Sequence, residues 1–182
     1  MKHRSLNIYL LLFFVSVATI IFIGRTINHK SDSESTNSKH DNADNAASKL
    51  SQRLAEFKNA IDKNPQDTIK MREYANLLGK AHRDQEAAKV FENILAIGPN
   101  RIDVMLILTY IYYTLGNTEK AEEYTNRVLS INKENPEANF NLGIIELKKG
   151  NKEKAKQILN SVIKRFPDNK VSVYAKSALQ KL

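Results

Sequence analysis

Side chains able to do chemistry are few and scattered in this chain. The four histidines stand at positions 3, 29, 40 and 82, and no His/Asp/Glu cluster has the spacing of metal ligands. There is no cysteine, so a thiolate nucleophile and a lipidated-cysteine anchor are both excluded. Neither a glycine-rich phosphate loop nor a serine nucleophile elbow is present. The adjacent carboxylates Glu122 and Glu123 have the chemistry of a general acid and base. They sit in a helical surface pattern, however, where such pairs are solvated charge. The expectation is a protein that is not an enzyme, has no cofactor or metal, and acts through a surface.

The elements that build this surface follow from a period of 34 residues. Ala87, Ala121 and Ala155 are each 34 positions apart. Pro99 and Pro167 each follow their alanine by twelve residues, Leu108 and Leu142 precede theirs by thirteen, and Gly116 and Gly150 by five. A fixed period of this length denotes stacked helical hairpins. In the third copy Phe140, Ile144, Ile145 and Leu147 recur at helical spacing, as do Ala155, Ile158, Leu159, Val162 and Ile163. Gly150 separates the two runs and suits the left-handed conformation that ends a helix. In the first copy His82 stands at that position and must adopt the same conformation, giving a weaker turn. Small residues (Ala75, Gly143, Ala87, Ala121, Ala155) let helices approach closely.

These residues resemble the tetratricopeptide repeat (TPR) family. The third copy, NPEANFNLGIIELKKGNKEKAKQILNSVIKRFPDN, carries the Leu142-Gly143 pair, Gly150, Ala155 and Pro167. The second keeps Leu108, Tyr112, Gly116 and Ala121 but has Lys133 in place of the proline, and the first keeps Ala87, Phe91 and Pro99 but has Tyr74 at the leucine position. The resemblance implies an all-α fold, a right-handed superhelix of antiparallel helix pairs. Its repeats are 68–101, 102–135 and 136–169, flanked by an N-terminal helix (47–67) like half a repeat and a C-terminal capping helix (170–182). Eight helices and no strand are expected.

In this family the first helix of each hairpin lines a concave groove that holds peptides. Position by position, the resemblance implies a groove made by Arg72, Asn76 and Lys80 from copy one and Leu106, Tyr110 and Tyr113 from copy two. Copy three supplies Phe140, Asn141, Ile144, Leu147 and Lys148. Aromatic side chains of low entropy make good anchors, and asparagine can hydrogen-bond a peptide backbone. The competing expectation is that Tyr110, Phe140 and Ile144 are covered by the 170–182 helix or by a second copy of the chain. The two-carboxylate clamp of co-chaperone TPR domains is rejected. Arg72 and Asn76 match it in kind, but Ile107, Glu137 and Asn141 stand where asparagine and basic residues are needed.

The first residues have a different composition. A basic flank (1–5) precedes residues 6–24, a 19-residue run without charge. As a helix it would measure roughly 28 Å, close to the hydrocarbon thickness of a bilayer. It reads as a single transmembrane anchor. A cleaved signal peptide with a site at Ser16-Val17-Ala18 is the alternative, against which the Ile20-Ile21-Phe22-Ile23 run counts. Residues 25–46 are polar and expected to be a disordered linker, with a reach on the order of 25 Å. Lys2 and Arg4 against Arg25 and Lys30 lean toward a cytoplasmic amino end, which puts the repeats in the periplasm of a bacterial inner-membrane protein.

The formal net charge is +8, and residues 148–182 alone hold ten lysines and arginines against Glu153 and Asp168. This end reads either as a solvated helical surface or as a contact for an acidic partner or anionic lipid. No recognition motif accompanies the charge, so nucleic acid is not expected. The layout is similar to the TPR part of cytochrome c maturation factors and to the single-span TPR subunit of the Sec translocon. The expected function is a membrane-anchored adaptor that binds a segment of a partner protein. A structural subunit that self-associates through the TPR surface is the alternative.

Overall fold

The computed structural model of the chain describes residues 38–182. The expected basic flank (1–5), the apolar run (6–24) and the linker up to residue 37 lie outside the described residues. Among the described residues there are eight helices and no strand, and no helix is long and apolar enough to cross a membrane. They divide into two compact units, 38–97 and 98–182.

The first unit holds α1 (Ser38–Lys63), α2 (Thr68–Lys80) and α3 (Asp84–Ile97). The helix α1 begins nine residues before the expected start at 47, so residues 38–46 are not the irregular linker that their polar composition suggested. Extending an existing helix costs little compared with nucleating one, and Ala46 and Ala47 favour it. Leu50, Leu54, Phe57 and Ile61 recur at helical spacing along α1; Leu54 is buried and the other three are half-buried. Helix α1 packs on α2, and α2 packs on α3. Asp67 starts α2 by accepting a hydrogen bond from the Lys70 amide (3.0 Å), which satisfies one of the free donors of the first turn.

The second unit holds α4 (Ile102–Thr114), α5 (Thr118–Ile131), α6 (Pro136–Lys148), α7 (Lys152–Arg165) and α8 (Lys170–Leu179). Each helix packs on its sequence neighbour, and α6 also packs on both α4 and α8. Helices α4, α6 and α8, the first, third and fifth of this unit, therefore lie side by side. Asn135 starts α6 and Asn169 starts α8 by accepting from the amides of Ala138 and Val171. Pro136 supplies the fixed backbone suited to a first helical position.

The three hairpin turns are copies of one backbone motif. His82, Gly116 and Gly150 have φ of 57°, 79° and 85°. In each turn this residue's amide donates to the carbonyl three residues back (Gly79, Tyr113, Leu147). The next amide donates to the carbonyl five back (Leu78, Tyr112, Glu146). That is the Schellman arrangement, and it satisfies carbonyls left free at the helix end. His82 thus adopts the conformation that the register required of it.

Within each hairpin the helices cross at an equivalent point with different chemistry. A Cβ on Gly143 would lie 2.8 Å and 2.9 Å from Leu159 Cδ2 and Cγ, so only glycine admits the fully buried Leu159 there. In the second copy the equivalent residues are Thr109 and Thr125. Their hydroxyl oxygens lie 3.4 Å apart, and Thr125 donates to the Ala121 carbonyl at 2.8 Å. Both threonines are buried, and each hydroxyl has a partner in this pairing.

The turns differ in strain. A side chain in the left-handed region costs about 1–2 kcal/mol, less the roughly 0.5–1 kcal/mol of extra unfolded-state entropy that glycine carries. His82→Gly is therefore expected to stabilise the fold by about 0.5–1 kcal/mol, and Gly150→Ala to destabilise it by a similar amount. Nothing lies within 4 Å of a Cβ built on Gly150, so no steric clash adds to these two terms. Urea unfolding monitored by circular dichroism tests both; a destabilised His82→Gly variant would contradict this account of the turn.

Candidate functional site

A step of 34 residues carries the proposed groove positions from α4 to α6 and on to α8. Leu106, Tyr110 and Tyr113 form a stripe on α4 at i, i+4 and i+7, and all three are half-buried. Phe140, Ile144 and Leu147 are their counterparts on α6. Here the outcome differs from the groove expected of the sequence: Phe140 and Ile144 are each 2% exposed. They form one apolar cluster with Leu159 and Val162 of α7 and Val171 and Ala175 of α8. Leu147, Tyr113 and Tyr174 pack against this cluster, with the Tyr174 ring 6.5 Å from that of Phe140 and tilted by 57°.

The reason is the placement of α8. It lies against α6 and α7, where it covers the stripe that α4 leaves partly open. Ser172 secures its start by donating to the Phe166 carbonyl. Asn141 is also buried, at 4% exposure, and its side-chain oxygen has no hydrogen-bond partner among the described residues. Phe140, Asn141 and Ile144 are thus core residues, a correction to the expected groove. Of the two competing expectations, cover by the C-terminal helix describes Phe140 and Ile144.

What remains accessible in this unit is a surface shared by α4, α6 and α8. Tyr110 and Tyr113 are half-buried, Leu147 is half-buried and Lys148 is exposed. The Lys148 ammonium lies 5.3 Å from the Tyr113 ring centroid, within range of a cation–π contact. Burial pushes the Tyr113 phenol above its ordinary value, so it remains a neutral hydroxyl. Tyr174 belongs with this surface, although the groove expected from the sequence does not include it. It is the register partner of Leu106 and Phe140, and continuing the 34-residue step past residue 169 identifies it. Arg72 and Asn76 are half-buried and Lys80 is exposed, one stripe along α2 in the other compact unit.

The hairpins that carry this surface are locked by polar contacts at a second set of equivalent positions. In copy two Lys120 donates to the Tyr112 hydroxyl at 2.9 Å, and Tyr112 stacks on Tyr124 with centroids 5.9 Å apart. In copy three the counterparts are Lys154 and Glu146, and Glu146 is fully buried. Its carboxylate accepts from Lys154 Nζ and from Asn151 Nδ2, each at 2.7 Å. Lys149 stands 3.9 Å from the same carboxylate and 2.9 Å from Glu122 of α5, which ties one hairpin to the next. Burial alone would raise the Glu146 carboxyl. Hydrogen bonds from Lys154 and Asn151, with the charges of Lys149 and Lys154, outweigh it and hold the group below its ordinary value of 4.5.

Similarity to known proteins agrees with this geometry. Two family models, both described as tetratricopeptide repeat, match residues 102–135 and 124–182. The second match runs through α8. A tetratricopeptide repeat protein from Parabacteroides merdae is 20% identical, with 69% of this chain and 49% of that chain covered and a TM-score of 0.60. The chain spans about half the length of that protein. A thermophilic TPR protein from Thermus thermophilus is 18% identical over 74% of this chain and 75% of that chain, with a TM-score of 0.58. The first TPR of Spaghetti (RPAP3), bound to the HSP90 peptide SRMEEVD, is 21% identical over 64% of this chain and 90% of that chain, with a TM-score of 0.55. No curated protein matches the chain in sequence.

Because the folded carboxyl of Glu146 titrates below its unfolded value, its contribution is present above about pH 4.5 and fades as pH falls through the lower folded value. Comparing thermal midpoints between neutral and acidic pH is expected to give a shallower acid decline for Glu146→Gln than for the parent. Parallel declines would remove Glu146 as an acid-sensitive lock.

Proposed function

We propose, on the premise that residues 102–182 are tetratricopeptide repeats, that the chain is a non-enzymatic adaptor. It holds a segment of a partner protein against the shared surface of α4, α6 and α8. Domains of this repeat type generally mediate protein–protein contacts, and a structural neighbour, the Spaghetti domain, is bound to a peptide. The observation that carries the reading is the alignment of Tyr110, Tyr113, Leu147 and Tyr174, each half-buried, with Lys148 at the rim. Half-exposed aromatic rings held by a packed core combine large contact area with little entropy to lose on binding.

The same surface argues about the partner. Ile107 and Glu137 occupy positions at which a terminal-carboxylate clamp needs polar and basic groups, and Asn141 is buried. An internal segment with apolar or aromatic side chains fits this surface better than an acidic chain terminus. Arg72, Asn76 and Lys80 on α2 offer a separate polar stripe.

Residues 6–24 serve in this proposal as a single-span anchor, with the repeats on the periplasmic side of a bacterial inner membrane. An adaptor placed there suits work on chains crossing or leaving the membrane, such as cytochrome c biogenesis or chaperone-like holding. The length and lack of charge of the run support the anchor, and the lysine and arginine count at its ends supports the orientation.

A photoreactive residue in place of Tyr110, used in the native cell with mass spectrometry of the products, tests the adaptor reading. A discrete partner is expected, lost when Lys148 and Leu147 are replaced by aspartate. Capture of only the chain itself would favour self-association through this surface instead.

A further inference from the structure

The C-terminal cations are not equivalent once their partners are counted. Lys154 bonds Glu146, Lys156 bonds Glu153 and Arg165 bonds Glu134. Lys164 on α7 lies opposite the buried Ala155, Leu159 and Val162, is exposed, and makes no ion pair among the described residues. Helix α8 contains no carboxylate. Its inner positions Val171, Ser172 and Ala175 are buried, and Lys170, Val173 and Lys176 follow one another at helical spacing on the opposite side, all exposed. Val173 is 65% exposed among them.

We infer that Lys164 of α7 and the outward face of α8 form a lysine surface that seats on anionic phospholipid headgroups. The free charges are all lysine, a hydrated point charge without the fork that reads a single carboxylate in a fixed geometry. They are spread along two neighbouring helices, which suits a fluid sheet of phosphates better than one acidic side chain. Val173 gives the surface a short apolar contact for the headgroup boundary. By contrast, α5 presents exposed Glu119 and Glu123, which such a membrane repels. The inference rests on the anchor reading: residues 6–24 in a bilayer, followed by a short tether, would keep the surface at high effective concentration near lipid. The consequence is a preferred orientation of the repeats, with α7 and α8 toward the membrane.

The chain has no cysteine, so Val173→Cys accepts one environment-sensitive fluorophore. The labelled full chain is reconstituted with vesicles of phosphatidylcholine, alone or with phosphatidylglycerol. The expected result is flotation with both, and a blue shift of the label only with phosphatidylglycerol, reversed by high salt. Combining Lys164→Glu, Lys170→Glu and Lys176→Glu lowers the blue-shifted fraction at least about tenfold. The salt reversal in the parent needs no variant to fold. Equal emission on both vesicles with flotation on both overturns the lysine surface and leaves the anchor standing. Flotation and blue shift on phosphatidylglycerol vesicles alone support the surface and remove the anchor. Flotation on neither overturns both. A shift with polyglutamate but not with phosphatidylglycerol also overturns the inference, and assigns the face to an acidic protein.

Discussion

A helical hairpin cannot bury all of its apolar surface by itself. In residues 98–182 this constraint decides which side chains are core and which are available. The first helix of each hairpin carries a stripe at i, i+4 and i+7 that its own second helix does not cover entirely. On α6 the stripe is Phe140, Ile144 and Leu147, and α8 closes over its first two members. On α4 the equivalent Leu106, Tyr110 and Tyr113 remain half-exposed. The accessible surface is thus what the stacking leaves over, and its rigidity comes from the cluster beneath it. Removing α8 would uncover Phe140, Ile144, Leu159 and Val162 together, so its role in the fold cannot be separated from the shape of the surface.

The repeats tolerate different chemistry at equivalent points because each point imposes one physical requirement. At the helix crossing the requirement is total size: Gly143 faces Leu159, whereas Thr109 and Thr125 share the space and pair their hydroxyls. At the hairpin lock it is an acceptor for a lysine eight residues on, met by the Tyr112 hydroxyl or the Glu146 carboxylate. The second solution draws in Asn151, whose side chain bonds Glu146 and does not cap α7. Asn117, its counterpart in copy two, caps α5 through the Lys120 amide. One substitution in the register therefore redirects a neighbour that is itself unchanged.

Much of the fold was legible in the sequence, because spacing alone carries it. The 34-residue step marked the hairpins, and the demand for a left-handed residue at position 82 follows from Gly116 and Gly150. Burial at the end of the array was harder to read. Phe140, Asn141 and Ile144 are groove residues only if no helix follows α6 and α7 in the same register. Treating 170–182 as a cap hid the fact that Tyr174 continues the row of Leu106 and Phe140. The start of α1 was missed for another reason. Hydrophobic period reports where a helix meets a core, and residues 38–46 show no such period. The Glu146 lock was legible in principle, since Lys120 and Lys154 are one period apart, but nothing in the sequence said that a glutamate there would be buried.

The residues on the outer side of α8 explain its difference from α4 and α6. One period beyond Leu142, Gly143 and Glu146 stand Lys176, Ser177 and Gln180. A second helix packing on α8 as α7 packs on α6 would cover the Lys176 position only in part, since its counterpart Leu142 is half-buried, and a lysine there carries its ammonium out to water. A lysine therefore stands where α6 carries Leu142, and the apolar area on this side of α8 is smaller than on α6. The same lysine, with Lys170, makes the face hydrophilic and positive. A single set of substitutions thus both reduces the apolar area on this side of α8 and makes it cationic, while the paired lysines of α7 remain committed to Glu146 and Glu153.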